Sequence, residues 1–538
     1  MKVELSKTRT AVECYDFIEF ELKVTNPKFN NPFTEVKIKG EFRSDKGKKN
    51  LVEGFCDSDD GSIYKLRFMP KNPGKYEYFI KFLHHEEKEK TITGSIRAEK
   101  SNRKGILRAD PDNPYHFKWE GTEEHYFLNG TTTYYLMGWK DEQQIKNIID
   151  RLDSYKINRL RVLVYGREFD NPWGTPVINC DEFNMTLNPW SAKFPQDITV
   201  PEFDMSRFNV TYWQKYERML EYARKKDIII SVIFFIGAQP LCVPFNELSE
   251  DEYRYYRYGV NRLSAFSNIT WDVGNEHDFH RDEMWTRNMC NYIRKKDPYD
   301  HMITAHNKIY RENFIDMQLI QNWDAGLYDV IIDEKAKLAK NNLQFPQVIE
   351  EYGYEDLWED IPGMRSAETR RRCAWEIYMA GGYQTTGESA RNGTGTGKDT
   401  GGGWVNGRGD EDMAMLEGYK IIYDFFTSLE WWKLEPASDE VIEAYYNFSF
   451  YDFKYYRSSG ERVTYGKALC LANKGKTYIF YLPAGGNIKV SIKENIYSIK
   501  RLQPRSGQMI EIGETRGEAW ESPDVGDKKD WVFLLQQK

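Results

Sequence analysis

The hydrophobic rhythm of the chain changes twice. In its early part apolar positions recur every second residue: Phe17-Ile-Glu-Phe-Glu-Leu-Lys-Val, Val36-Lys-Ile-Lys-Gly-Glu-Phe and Tyr64-Lys-Leu-Arg-Phe alternate, and Pro70-Lys-Asn-Pro-Gly supplies a turn before Tyr76-Glu-Tyr-Phe-Ile-Lys-Phe. Such alternation marks strands with one buried face. Short strands at this spacing predict an immunoglobulin-like β-sandwich over residues 1–98. The polar, proline-containing stretch 101–114 reads as a linker.

Over residues 99–438 strand-like apolar runs alternate with amphipathic helical stretches. The runs are Tyr126-Phe-Leu-Asn-Gly, Leu160-Arg-Val-Leu-Val, Ile228-Ile-Ile-Ser-Val-Ile-Phe-Phe, Ile269-Thr-Trp-Asp-Val, Met302-Ile-Thr-Ala, Met317-Gln-Leu-Ile-Gln, Gln347-Val-Ile-Glu and Gly382-Tyr-Gln-Thr-Thr. Helices are predicted at 141–155, 212–226 and 250–266. Eight runs in this order fit an α/β class (β/α)8 TIM barrel. A doubly wound open sheet is the rival, but no GxGxxG follows the first run and no GxxxxGK[ST] occurs. From 439 to 538 the pattern is strand-like again, with Ala468-Leu-Cys-Leu-Ala, Tyr478-Ile-Phe-Tyr-Leu-Pro, Ile488-Lys-Val-Ser-Ile and Trp531-Val-Phe-Leu-Leu, and predicts a small C-terminal β-sandwich. The Gly- and Thr-rich segment 392–409 follows the eighth run and is a candidate mobile loop over the barrel mouth.

Composition narrows the partners. Of 538 residues 75 are Lys or Arg and 83 Asp or Glu, a formal charge of -8 without a basic block, which argues against nucleic acid or an anionic membrane surface. The amino terminus lacks the apolar core of a secretion signal, and no run approaches the ~18 apolar residues of a membrane span. A cytoplasmic protein is expected. The seven cysteines (Cys14, Cys56, Cys180, Cys242, Cys290, Cys373 and Cys470) are scattered without CxxC or Cys/His spacing, so neither a disulfide framework nor a metal site is expected.

Reactive groups of an α/β barrel sit at the C-terminal ends of its strands. Two carboxylates hold such positions: Glu276, closing Ile269-Thr-Trp-Asp-Val-Gly-Asn-Glu, and Glu351, closing Pro346-Gln-Val-Ile-Glu-Glu-Tyr-Gly. Their separation of 75 residues spans three βα repeats of roughly 25 residues each and sets them across the mouth from one another. On its own, a strand-end glutamate in so acidic a chain is a solvated or salt-bridged surface group; the adjacent Asn275 and the matched second glutamate turn that reading toward catalysis. Arg161, on an apolar strand, needs a buried partner, and a purely structural ion pair would serve it equally well.

The Gly-Asn-Glu of the fourth run, the Glu-aromatic-Gly of the seventh and Arg161 of the second resemble clan A glycoside hydrolases. The order of sandwich, barrel and small sandwich is similar to the apiosidase-like and cellulase-like proteins of bacterial polysaccharide-utilisation systems. Tyr481-Leu-Pro-Ala-Gly-Gly and Leu502-Gln-Pro-Arg-Ser-Gly resemble their collagen-binding-type C-terminal module. The resemblance implies a retaining hydrolase without a cofactor. In it Glu276 is the acid/base, Glu351 the nucleophile kept ionised by Arg161, and Asn275 the partner of the sugar 2-hydroxyl.

Glu350 complicates this reading, because many clan members carry Gly there. Strand alternation allows only one of Glu350 and Glu351 to face the barrel axis, and the motif selects Glu351; Asp272 and Asp278 are set aside on the same argument. Candidate substrate contacts are His306, which could instead be a satisfied structural histidine, Glu388, which could instead cap a turn, and Trp139, Trp173, Trp323 and Trp404. Each tryptophan offers a face on which a sugar stacks, and for each taken singly core packing is the competing role. The function expected is cleavage of β-type linkages, or of α-L-arabinofuranosides, in short plant-derived oligosaccharides. The second reading, from another class, is a catalytically inactive carbohydrate-binding or scaffolding protein. The N-terminal sandwich is expected either to buttress the barrel or to mediate self-association into a homo-oligomer.

Overall fold

The structure, a computed structural model, describes residues 2–84, 87–166, 182–183, 188–197, 200–237, 245–306, 308–323, 326–355, 365–388, 403–407, 414–449, 451–454 and 462–538. Its centre is an eight-stranded, all-parallel sheet of Asn129–Thr132, Arg159–Leu163, Ile229–Ile233, Ile269–Asp272, Ile303–Thr304, Gln318–Gln321, Gln347–Glu351 and Tyr383–Thr386. The first strand pairs with both the second and the eighth, so the sheet curls into a barrel. The seam lies between strands five and six, where Asp316 accepts from Ile303 N (2.7 Å) and donates its own N–H to Ile303 O (2.9 Å). Each predicted run holds a strand, displaced by a few residues at the first. Tyr126 there belongs to a separate three-stranded sheet, Leu107–Ala109, Phe117–Trp119 and His125–Tyr126, where Trp119 and Tyr126 pack edge to face. Part of the expected linker is therefore strand, because Leu107 has a core to join.

Helices between the strands begin where a polar side chain satisfies an orphan backbone N–H. Asn209 caps Val210–Arg224, Ser249 caps Glu250–Leu263, Asp282 caps Glu283–Lys296 and Ser366 caps Ala367–Met379. Among the described residues no helix is long and apolar enough to cross a membrane, and no cluster of His, Cys, Asp and Glu could hold a metal ion.

Residues before the barrel form a four-stranded and a five-stranded sheet. Their facing positions, such as Ile18, Phe20 and Leu22 against Phe42 and Ile80, make a core of their own. This sandwich meets the barrel through charge. Arg67 donates to both oxygens of Glu217 (2.7 and 2.9 Å), Arg262 donates to Glu217 and to Asp57 (2.5 Å each), and all four side chains are nearly removed from solvent.

The C-terminal strands use apolar matter instead. Along Leu469–Asn473, Thr477–Leu482 and Trp531–Gln537, alternate residues face opposite ways: Cys470, Phe480 and Phe533 enter the sandwich core, while Leu471, Ile479, Tyr481 and Val532 join the barrel core. Burial on both faces explains why these runs are almost continuously apolar. Tyr481 stacks on Trp375 of Ala367–Met379 at 5.4 Å, and Arg371 of the same helix pairs with Asp530. The long strand Asn487–Gln503 serves both layers, pairing first with Ile442–Tyr446 and, after a register shift, with Trp531–Gln537.

Burial alone would raise the Glu217 carboxyl, but Arg262 and then Arg67 outweigh it and hold it at about 2. A folded value below the unfolded one (~4.3) gives stability that is present above the unfolded value and lost as pH falls toward 2. Arg67→Met leaves a buried carboxylate under-compensated and is expected to cost about 3–5 kcal/mol in urea unfolding. Glu217→Gln should flatten the acid loss of stability between about pH 4.3 and 2. An unchanged urea midpoint in Arg67→Met would show that the ionic interface carries no stability.

Candidate active site

The exits of the second, fourth, sixth and seventh strands converge on one cluster. Arg161, fully buried, donates from Nη1 to Glu351 Oε1 (3.0 Å) and from Nη2 to Asn275 Oδ1 (2.6 Å). Its guanidinium also lies 4.9 Å from the centre of the Tyr134 ring. The Tyr134 hydroxyl bonds to Glu351 Oε1 and sits 3.1 Å from Asn275 Oδ1. Because Arg161 occupies the amide oxygen of Asn275, the orientation of that amide is settled. Its Nδ2, buried, has no hydrogen-bond partner among the described residues, which leaves it available to donate to a ligand.

Glu276 sits at the end of a shaped turn. Asp272 Oδ1 accepts from Gly274 N (3.0 Å), and the His277 ring is held between Gly274 O (2.9 Å) and the Tyr310 hydroxyl (2.8 Å). Between these anchors Glu276 takes a left-handed backbone (φ 49°), a strained conformation for a residue with a side chain. The neighbouring loop approaches so closely that a Cβ on Gly237 would lie 2.2 Å from Glu276 O. Only glycine fits there.

Gln321, closing the sixth strand, links the two carboxylates: its Nε2 donates to Glu351 Oε2 (2.9 Å) and to Glu276 Oε1 (3.4 Å). Two bonds from one nitrogen cap the separation of these oxygens at the sum of their lengths, 6.3 Å. Burial first, and the charge on Glu351 second, push the half-buried Glu276 carboxyl up to about 8. The site thus favours a proton on the Glu276 carboxyl near neutral pH beside a second carboxyl that Arg161 holds. His306 lies 3.6 Å from Glu351 Oε1. Burial and then Arg161 hold its pKa well below the usual histidine value, so the ring is neutral, and among the described residues neither ring nitrogen has a hydrogen-bond partner.

The alternation argument for Glu350 fails. Ile320 pairs with Ile349 and Gln321 with Glu351, so Glu350 is an extra residue in the seventh strand. Such a bulge breaks the period of two, and both glutamates reach inward: Glu350 Oε2 accepts from Arg159 Nη1 (2.8 Å), and its Oε1 lies 2.9 Å from Arg161 Nε. Asp272 is buried as well, and burial pushes it up to about 7.

The remaining candidates separate. Trp139 is core, with Nε1 donating to Asn406 O (2.9 Å) and its ring against Phe183. Both oxygens of Glu388 accept from Arg151 (2.6 and 2.8 Å) of the helix Glu142–Ser154. Trp323 follows Gln321, stays partly exposed and packs edge to face on Tyr354 (5.5 Å). Trp404 falls in the short helix Gly403–Asn406, while Trp173 and most of 392–409 lie outside the described residues. Sequence reasoning missed Tyr134 and Gln321. The polar end of Met317-Gln-Leu-Ile-Gln was a signal for the second; the first strand begins later than its apolar run, which hid the first.

Comparison with known proteins sets the chain among glycoside-hydrolase-like barrels. Residues 177–387 match the apiosidase-like catalytic domain family, and residues 11–83 match DUF5060, a domain of unknown function. No curated protein matches the chain. Among solved structures, a candidate glycoside hydrolase of Bacteroides vulgatus superposes with a TM-score of 0.76 at 18% identity, over 98% of this chain and 100% of the other. A glycoside hydrolase family 5 protein of the same species gives 0.59 at 15% identity, over 81% and 94%. At these identities the likeness is one of fold.

Replacing Glu351 with Gln removes the second of the two causes that raise Glu276. In a carboxyl 13C titration the Glu276 signal should then move below 8 while staying above the ordinary 4.5, since burial persists. An unmoved value would mean that the two carboxyls do not sense each other.

Proposed function

We propose that the protein is a retaining glycoside hydrolase in which Glu276 is the acid/base and Glu351 the nucleophile. The observation that carries this is the single Gln321 nitrogen touching both carboxyls, one of which keeps its proton to about 8 while the other is anchored by Arg161 and Tyr134. An oxygen separation capped at 6.3 Å suits double displacement, for which the carboxyls stand about 5–5.5 Å apart, better than the ~6.5–9.5 Å of direct attack by water.

Protonated Glu276 donates to the glycosidic oxygen as the bond to the anomeric carbon breaks, and Glu351 attacks that carbon, giving a glycosyl ester and the free leaving alcohol. Glu276, now a carboxylate, takes a proton from water; the hydroxide attacks the anomeric carbon, releases Glu351 and restores the proton on Glu276. Asn275 offers its Nδ2 to the 2-hydroxyl, neutral His306 accepts or donates beside the nucleophile, and the partly exposed Trp323, with the Arg365 guanidinium over its ring at 5.1 Å, is a candidate stacking partner. The substrate class we favour is a short oligosaccharide with β-type linkages or α-L-arabinofuranosyl ends.

A panel of nitrophenyl glycosides and plant oligosaccharides tests this reading. Activity should fall as pH rises through about 8, because Glu276 must carry its proton. Glu351→Gln should abolish turnover, and Glu276→Ala should lower kcat on poor leaving groups by about 10²–10⁴-fold, with azide restoring turnover of activated substrates. Full activity in either variant would refute the assignment, and sugar binding without release would favour a binding protein.

A further inference from the structure

The interior beneath the candidate site contains a second acid and base that the mechanism above does not use. Arg159 and Glu350 are fully buried. Arg159 donates to Glu350 (2.8 Å), to Thr385 of the eighth strand (3.0 Å) and to Ser231 of the third (3.0 Å), which fixes its fork. The other oxygen of Glu350 lies 2.9 Å from Arg161 Nε, an ion pair whose two atoms are not aligned for a hydrogen bond, while the two Nη atoms of Arg161 hold Glu351 and Asn275.

We infer that Glu350, paired with Arg159, is a positioning residue for the reaction: it braces the Nε edge of Arg161 and cancels one of two buried guanidinium charges, so that Arg161 aligns Glu351 without excess positive charge at the nucleophile. This rests on the reading of Glu276 and Glu351 above. Two arginines face two glutamates, and the interior is balanced only while Asp272 and Glu276 are protonated and His306 is neutral. Among the described residues, the charged or titratable groups around Glu350 and its two arginines include Asp272 from the fourth strand, His306 after the fifth, Glu351 and Tyr354 on and after the seventh, and Tyr126 and Tyr134 before and after the first. Asp272 reports the coupling: after burial, Arg161 lowers it and Glu350 raises it. The bulge makes this arrangement available, since a regular strand could not send consecutive side chains to one arginine.

The test is the pH profile of kcat/KM for Glu350→Gln, Arg159→Met and the double variant. Glu350→Gln leaves one uncompensated positive charge, which favours the ionised form of each carboxyl, so both limbs should move to lower pH by on the order of one unit. Arg159→Met leaves an extra negative charge and should move them the other way. The double variant restores neutrality, so its limbs should return to the wild-type position while kcat stays about tenfold down at unchanged KM, because Arg161 has lost its brace. Limbs that stay put in both single variants, or move the same way, overturn the inference. Where a single variant does not fold, the charge-neutral double variant decides, and wild-type kcat there overturns the bracing role. Glu276→Gln and Glu351→Gln run in parallel separate the two claims. If they are inactive while the Glu350 series is silent, only this inference fails; if they are active, the site assignment fails.

Discussion

Arg161 is a guanidinium with no exposed surface, and a charge so placed is tolerated only when opposite charge and hydrogen-bond acceptors surround it; its two Nη atoms find aligned acceptors and its Nε faces the carboxyl of Glu350. Its acceptors come from the fourth and seventh strands, with Thr132 of the first at 3.4 Å. One side chain thereby ties together strands far apart in sequence, and the geometry of the two carboxyls follows from it. Glu351 is fixed because Arg161 holds one oxygen and Gln321 the other. Asn275 presents its nitrogen because Arg161 has taken its oxygen.

The flanking sandwiches hold the barrel from two sides by different physics. The N-terminal one grips the helices Val210–Arg224 and Glu250–Leu263 through buried Arg–Glu and Arg–Asp pairs. The second of these helices leads into the strand Ile269–Asp272, whose exit turn carries Glu276. Charged pairs of this kind are demanding in geometry, so they specify one docking orientation more sharply than apolar contact does. The C-terminal sandwich covers Ala367–Met379, the helix that follows the Glu351 strand, with a continuous apolar face and one buried Arg–Asp pair. Both elements that carry the carboxyls are therefore backed by a second layer, which suits a site whose donors must be preorganised.

Much of this architecture was legible in the chain itself. Alternation in residues such as Phe20, Leu22 and Val24 reports a one-sided strand wherever that strand ends up, because the period of two belongs to the backbone. Eight apolar runs with helices between them leave few alternatives to a barrel, and a barrel gathers strand ends such as Glu276 and Glu351 at one mouth. Those inferences depend only on local geometry and connectivity.

What lay beyond the sequence depends on neighbours supplied by distant parts of the chain. Glu350 points inward because the sixth strand pairs on either side of it and leaves it as an extra residue, and nothing in Val-Ile-Glu-Glu-Tyr marks that. Trp139 and Glu388 read as sugar contacts until their partners, Asn406 O and Arg151, come from elsewhere in the fold. Tyr134 and Gln321 enter the site through hydrogen bonds to residues 217 and 30 positions away. Periodicity determines which face a residue occupies on its own element; the hydrogen-bond register between elements decides what that face meets, and only the folded chain brings those partners within bonding distance.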